Sequence, residues 1–322
     1  MTDRILDLSE RPAHLSVRNE LLVIRFGRNV PAERLTETAP RAVSTPEAAG
    51  TPPLPETHTI PLADIAVVIA SHPQISYTHA VLAGLAAAGG MFVVCDQKHL
   101  PAAMLLPLVT HSTQTERFAA QAKLSLPTCK RLWQQIAQAK LRAQARLLEE
   151  RTGKDWGLGV PAAHVRSGDP QNLEGQAARI YWRALFADED FRRDPEGEGV
   201  NSCLNYGYAV LRAAVARAIC AAGLHPSLGL HHHNRYDAFC LADDVMEPFR
   251  PVVDRVVARL RDARGNNIPL DKEAKRALLE ALLGRFTAHD ESRTLFDWVS
   301  RMACSLAAVI AGDAEKLEIP RL

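Results

Sequence analysis

Residues 112–151 read STQTERFAAQAKLSLPTCKRLWQQIAQAKLRAQARLLEER, and their character decides the fold class. Ala, Leu, Gln and Arg dominate and no period-two alternation is present, which predicts helices over 113–124 and 130–151. Upstream the pattern is different. Short aliphatic and β-branched runs at 5–8, 14–18, 20–26, 57–62, 65–70 and 91–95 predict strands, with one helix over 77–88. Five prolines fall within 36–56, where their missing N–H groups exclude a helix or central strand and imply an exposed loop. Downstream, 172–186 reads as helix. Leu204, Tyr208, Leu211, Val215 and Ala218 share one helical face, as do Val252, Val253, Val256, Val257 and Leu260, and Leu278, Leu279, Leu282, Leu283 and Phe286. Pro251 suits the first turn of one such helix and Asp271 the cap of another. The expected class is α+β: a small β-rich N-terminal domain over 1–111 and a larger all-helical domain over 112–322.

Hydrophobic residues make up 47% and charged residues 23% of the 322, with formal net charge +1. Bulk charge therefore gives no sign of a nucleic-acid binder, and any such role must come from local patches. The six cysteines form no CxxC pair, which argues against a zinc ribbon and for reduced thiols. The uncharged run 80–95 is only sixteen residues long and holds Gly84, Gly89 and Gly90, too short and broken for a bilayer span. With no export signal at the start, the expected location is cytoplasmic.

Three segments of the helical half carry chemistry. Asn172-Leu173-Glu174 follows the breakers Gly168, Asp169 and Pro170, placing Glu174 near a helix start, where an acid also simply complements the helix dipole. Gly229–Asn234 contains His231, His232 and His233. Consecutive rings cannot all reach one ion from regular structure, so at most one or two serve a site. In the segment 243–251, DDVMEPFRP, Asp244 and Glu247 are three apart and share a helical face, with Pro248 ending or kinking the helix beside Glu247. Two acids on one face repel unless a cation lies between them. Together the segments supply imidazole and carboxylate donors without thiolate, a set suited to Mg²⁺ or Mn²⁺. Such an ion assists in-line phosphoryl displacement. No GxxxxGK[ST] motif is present to hold a nucleoside triphosphate.

NLEGQAARIYW (172–182), GVNSCLNYGYAVLRA (199–213), GLHHHNRYDAFCLADDVMEPFRPVVD (229–254) and the opening ILDLSERPAHLSVRNELLVI (5–24) together resemble the CRISPR-associated protein 1 family, in its type II-like variety. The resemblance runs over nearly the whole chain and keeps the motif order, departing from the family in the Pro-rich segment. It implies a β-rich N-terminal domain, a helical catalytic domain, and a metal site of Glu174, His232 and Glu247, with Asp244 as a further acid and His231 as second choice for the imidazole. It also implies a DNA integrase with endonuclease activity. The 3′-hydroxyl of a short captured DNA would attack a phosphodiester at a repeat boundary of a CRISPR array, in the service of antiviral defence. The implied partners are double-stranded DNA, a second copy of the chain, and a dimer of CRISPR-associated protein 2.

Phosphate neutralisation supplies most DNA affinity, so basic side chains are the contact candidates. Lys130, Arg131, Lys140, Arg142, Arg146 and Arg151 lie on the long predicted helix, with Arg142 and Arg146 as i,i+4 neighbours, and Arg250 lies beside the acidic motif. Tyr181 and Trp182 follow Glu174 closely enough to join them. Two rivals share these residues: a structure-selective metal-dependent repair nuclease, with water as nucleophile, and a non-catalytic DNA-binding assembly subunit.

Overall fold

In the computed structural model, residues 4–27, 56–96, 101–107 and 111–322 are described; the Pro-rich segment, apart from Glu56, lies outside them. The N-terminal part comprises β1 (Arg4–Leu8), β2 (Ala13–Arg18), β3 (Leu21–Phe26), β4 (Thr57–Pro61), β5 (Ile65–Ala70), β6 (Ser76–Tyr77), α1 (His79–Ala87), β7 (Met91–Cys95) and β8 (Pro101–Leu105). They form two four-stranded sheets, ordered β1-β5-β7-β8 and β4-β3-β2-β6. In the first sheet β1, β5 and β7 are parallel and β8 is antiparallel to β7.

The strand β5, IAVVIA, is buried at all six positions, as a near-continuous apolar run must be when both faces of a parallel strand are covered. Its two faces enter different cores. Val68 and Ala70, with Phe92 of β7, pack against Leu15, Leu22 and Ile24 of the second sheet and Val81 and Leu85 of α1. Val67, Ile69, Met91 and Val93 enter the core of the helical half. That half comprises α2 (Gln114–Ala122), α3 (Leu126–Thr152), α4 (Gly159–His164), α5 (Leu173–Phe186), α6 (Val200–Ala221), α7 (Cys240–Met246), a 3-10 turn (Glu247–Phe249), α8 (Arg250–Arg264), α9 (Lys272–Leu282), β9 (Arg285–Ala288), β10 (Glu291–Thr294) and α10 (Leu295–Ala311). Polar ties reinforce the shared core: the Tyr206 hydroxyl on α6 donates to Asp7 at 2.9 Å, and Arg217 Nε donates to the Gly89 carbonyl at 2.7 Å.

The architecture is the expected one, a β-rich start followed by a mainly helical remainder, with local differences. The long helix α3 begins at Leu126 rather than Lys130, because Ser125 caps it by accepting from Thr128 N at 3.3 Å and Pro127 is tolerated in its first turn. Tyr77 belongs to a strand, and α1 starts at His79. The helical half is also not helical throughout, since β9 and β10 form an antiparallel hairpin turned at His289 and Asp290.

Candidate functional site

Glu174 is the second residue of α5, and its position is fixed from behind. Asp169, almost fully buried, accepts from Leu173 N and Glu174 N, each at 2.9 Å. Asn172 accepts from Gly175 N at 3.2 Å. A Cβ on Gly175 would lie 2.6 Å from the Asn172 oxygen, so glycine there lets the cap fold over the helix end. These acceptors satisfy the free amides of the first turn and hold Glu174 at the surface of the helix start.

The histidine loop is wrapped around one carboxylate. Asp244 on α7 is fully buried. One of its oxygens accepts from Leu230 N at 2.6 Å and His231 N at 2.9 Å, and the other from His232 N at 3.2 Å and His232 Nδ1 at 2.6 Å. With Asp244 acting as acceptor, His232 carries its proton on Nδ1 and presents Nε2 as a lone pair, the orientation a metal-binding imidazole needs. The hydrogen bond that His232 donates to Asp244 raises the His232 pKa, and desolvation opposes it less strongly. Close curvature of the loop requires Gly229, whose Cβ would meet the His232 carbonyl at 2.3 Å. His231 lies flat on the Trp133 ring of α3, with centroids 4.1 Å apart at 3°, and burial depresses its pKa.

Glu247 opens the 3-10 turn after α7. Pro248 follows it, so the helix does not continue in α form through this point. Its side chain is 4% exposed and meets two cations: Arg250 at 3.0 Å and Lys140 Nζ at 2.5 Å. Lys140 also donates to Glu174 Oε1 at 2.5 Å. The sequence pairs Asp244 with Glu247 across a cation; in the structure the cation is a lysine of α3, and it lies between Glu174 and Glu247 instead. Burial favours the neutral form of Glu247, yet Arg250 and Lys140 outweigh it and hold the carboxyl below its usual range. For Lys140 burial pulls downward, and Glu247 and Glu174 together raise its pKa. Trp133 and Lys140 are seven residues apart, two turns along one face of α3, so a single helix underlies both the histidine loop and the glutamates.

Among the described residues, no three His, Cys, Asp or Glu side chains converge into a metal-binding group. The donor chemistry nevertheless fits a divalent ion. Glu247 Oε2 is enclosed and receives no aligned hydrogen bond, its contact with Lys140 being an ion pair only. Glu174 faces the same ammonium, and His232 keeps Nε2 free. Asp244 fits an orienting role better than a ligand role, because both its oxygens are already engaged.

Among the contact candidates, Arg250 stacks over the Tyr208 ring at 4.7 Å. It lines a cleft of about 400 Å³ with Arg193, Arg212 and Asn205. Neither Arg193 nor Arg212 was expected from the sequence. Arg142 is exposed and Arg146 half-buried; burial and then neighbouring Arg321 lower the Arg146 pKa, with Arg255 and Arg142 adding to the effect. Tyr181 cannot join the contact candidates, since it is fully buried and donates to Asp254 at 2.6 Å. Trp182 packs against Phe186 and Phe191.

A family profile described as CRISPR associated protein Cas1 matches residues 168–282, the span holding all three ligand candidates. The chain is 36% identical over 271 residues to CRISPR-associated endonuclease Cas1 of Neisseria meningitidis serogroup C (strain 8013), covering 83% of this chain and 88% of that protein. Its fold is similar to that of a casposase bound to integration product, with TM-score 0.75 at 21% identity, covering 98% of this chain and 92% of that one. It is similar also to a chain of a Cas6-RT-Cas1–Cas2 complex, with TM-score 0.73 at 16% identity, covering 100% of this chain and 36% of that one.

Proposed function

The chain belongs to the Cas1 family of CRISPR-associated endonucleases and integrases, and on that premise we propose that it is a metal-dependent DNA integrase. In this reading Glu174, His232 and Glu247 hold Mg²⁺ or Mn²⁺. The observation that carries it is the pair of glutamates, Glu174 and Glu247, facing one ammonium, with an imidazole whose tautomer is fixed by Asp244 as the third candidate. When bound, the ion supplies Lewis-acid polarisation of a phosphoryl oxygen. The chain's own groups do the rest. Arg250, Arg193 and Arg212 attract and orient the phosphodiester in the cleft beside Glu247. Asp244 keeps the imidazole in one tautomer.

The reaction is a transesterification: a DNA 3′-hydroxyl oxygen bonds to phosphorus, the bond to the bridging oxygen of the target strand breaks, and the proton passes to the released 3′-hydroxyl. One phosphodiester replaces another, so no nucleoside triphosphate is consumed. The likeness to a casposase bound to integration product supports the joining reading, and the likeness to a Cas6-RT-Cas1–Cas2 complex supports Cas2 as a partner; we take both partners to be dimers. The second reading, hydrolysis by water at the same site, is favoured by the endonuclease name of the Neisseria relative. No helix among the described residues is long and apolar enough to cross a membrane, consistent with a cytoplasmic setting for this chemistry.

One labelled DNA carrying a 3′-hydroxyl end and a repeat boundary tests both readings, with strand joining and strand cleavage measured with and without Mn²⁺. Joined product that depends on Mn²⁺ is expected, and Glu174→Gln or Glu247→Gln should each lower it by about a hundredfold or more. Cleavage without joining would favour hydrolysis, and activity retained in both variants would remove the site.

A further inference from the structure

Lys140 stands where the two candidate metal-binding glutamates face each other. Its ammonium lies 2.5 Å from Glu174 Oε1 and 2.5 Å from Glu247 Oε2. The contact with Glu247 has ion-pair distance but no hydrogen-bond alignment. The side chain is 11% exposed and the two glutamates 23% and 4%, so this is a lysine drawn into a buried site rather than one hanging over it. Arg250 binds the other oxygen of Glu247 at 3.0 Å. Two cations therefore already neutralise the two glutamates, while Asp244 is committed to amides of the histidine loop and to His232. A divalent ion entering this set would add charge to a neutral pair of carboxylates, at the atoms the ammonium occupies.

We propose that Lys140 is a resident counter-ion of the metal site, displaced when the divalent ion binds, and that DNA makes that displacement favourable. The proposal rests on the metal-site reading given above. A flexible four-carbon stem carrying a compact charge can swing from the glutamates to a nearby phosphate. DNA phosphate supplies the negative charge that the lysine leaves behind and that the incoming ion requires. Metal and DNA consequently bind with positive coupling, each tightening the other by the same factor. In DNA-free protein Lys140 keeps the glutamates together without metal, preventing the repulsion that two unpaired buried acids would exert. A structural ion pair alone would hold the glutamates but would not compete with metal, and the two roles separate on metal affinity.

The test is Mn²⁺ binding by the full chain, read from the electron paramagnetic resonance signal of free Mn²⁺. It is run with and without a duplex whose 3′ ends are dideoxy and cannot join. For the natural sequence, duplex should tighten Mn²⁺ binding by about tenfold or more. Lys140→Met should bind Mn²⁺ about tenfold more tightly than the natural sequence without DNA, and gain much less from duplex. Lys140→Arg, which keeps the charge, should remain weak without DNA. In EDTA, Lys140→Met should melt several degrees lower, with Mn²⁺ restoring the loss. Glu247→Gln is the control for the site itself. If it weakens Mn²⁺ binding while Lys140→Met binds no more tightly than the natural sequence, the counter-ion role is overturned and the metal site stands. If Glu247→Gln leaves Mn²⁺ binding unchanged, the metal-site reading falls and the counter-ion role with it.

Discussion

Asp244 does for the histidine loop what no other side chain there can do, because it accepts three backbone amides and one imidazole at once. Asp244→Asn puts an NH₂ group where a lone pair is needed, leaving buried donors unpaired, and should cost about 2–4 kcal/mol in chemical denaturation. The loop assigns different work to its rings: His231 covers Trp133, while His232 bonds Asp244 through Nδ1 and leaves Nε2 available. His232→Ala should therefore reduce DNA joining by about tenfold or more beyond His231→Ala or His233→Ala, measured on one substrate. A larger loss in His231→Ala would move the imidazole assignment by one residue. Residue types made the carboxylates and the histidine triplet legible as a candidate donor set, and the choice of Glu174, His232 and Glu247 within it is what the family resemblance implies. Asp244 read there as a further acid, since its service to backbone amides depends on a loop conformation that spacing does not encode. Lys140 was legible only as one cation among six. Its distinguishing mark is position: with Trp133, Ile136, Ala137, Leu141 and Gln144 it belongs to the buried stripe of α3, where an unpaired lysine would not be tolerated.

Between elements, α5, α6 and α8 are tied by a second buried acid. Asp254 on α8 accepts from the hydroxyls of Tyr181 on α5 and Tyr208 on α6. Burial pushes its carboxyl up from 3.8 to about 6, against the two hydroxyl hydrogen bonds. The folded chain therefore holds a proton at pH 5 that the unfolded chain has lost. The resulting stability is fully present below the unfolded value near 3.8 and disappears as pH rises through 6. The shift corresponds to about 3 kcal/mol. Asp254→Asn should flatten this part of the melting temperature against pH between 4 and 6. A smaller slope should persist, because Asp243 is also raised to about 6, chiefly by burial. An unchanged slope in the variant would remove Asp254 as its source. The helices of this region were legible from their periodic apolar faces. The hairpin of β9 and β10 was not, because its strands have four residues each and its turn is His289-Asp290, both at positive φ without the usual glycine. Strand β8 begins with Pro101, which masks it in the same way.

At the scale of the whole molecule, the change of character near Ser112 marks a change of secondary structure that does not coincide with the boundary between the two cores. Val67, Ile69, Met91 and Val93 of the first sheet belong to the helical core, which local pattern cannot reveal because it records burial but not the partner. The Pro-rich segment is outside the described residues, but its flanks are paired: Arg25 of β3 lies opposite Thr57 of β4, and Phe26 N donates to Glu56 O at 3.0 Å. The chain thus leaves and re-enters the sheet at neighbouring positions. Replacing 36–56 with a short Gly-Ser linker should close that gap and leave Mn²⁺-dependent DNA joining unchanged. A large loss would assign the segment a contact with DNA or with the partner protein.

The long helix α3 contributes no ligand candidate, yet the ring beneath His231 and the ammonium between the glutamates are both its own. Anyone transplanting this centre into a new scaffold would therefore need four pieces rather than three. A graft carrying only the start of α5, the histidine loop and the turn after α7 would arrive without its floor, and its acidic side chains would splay before any ion reached them.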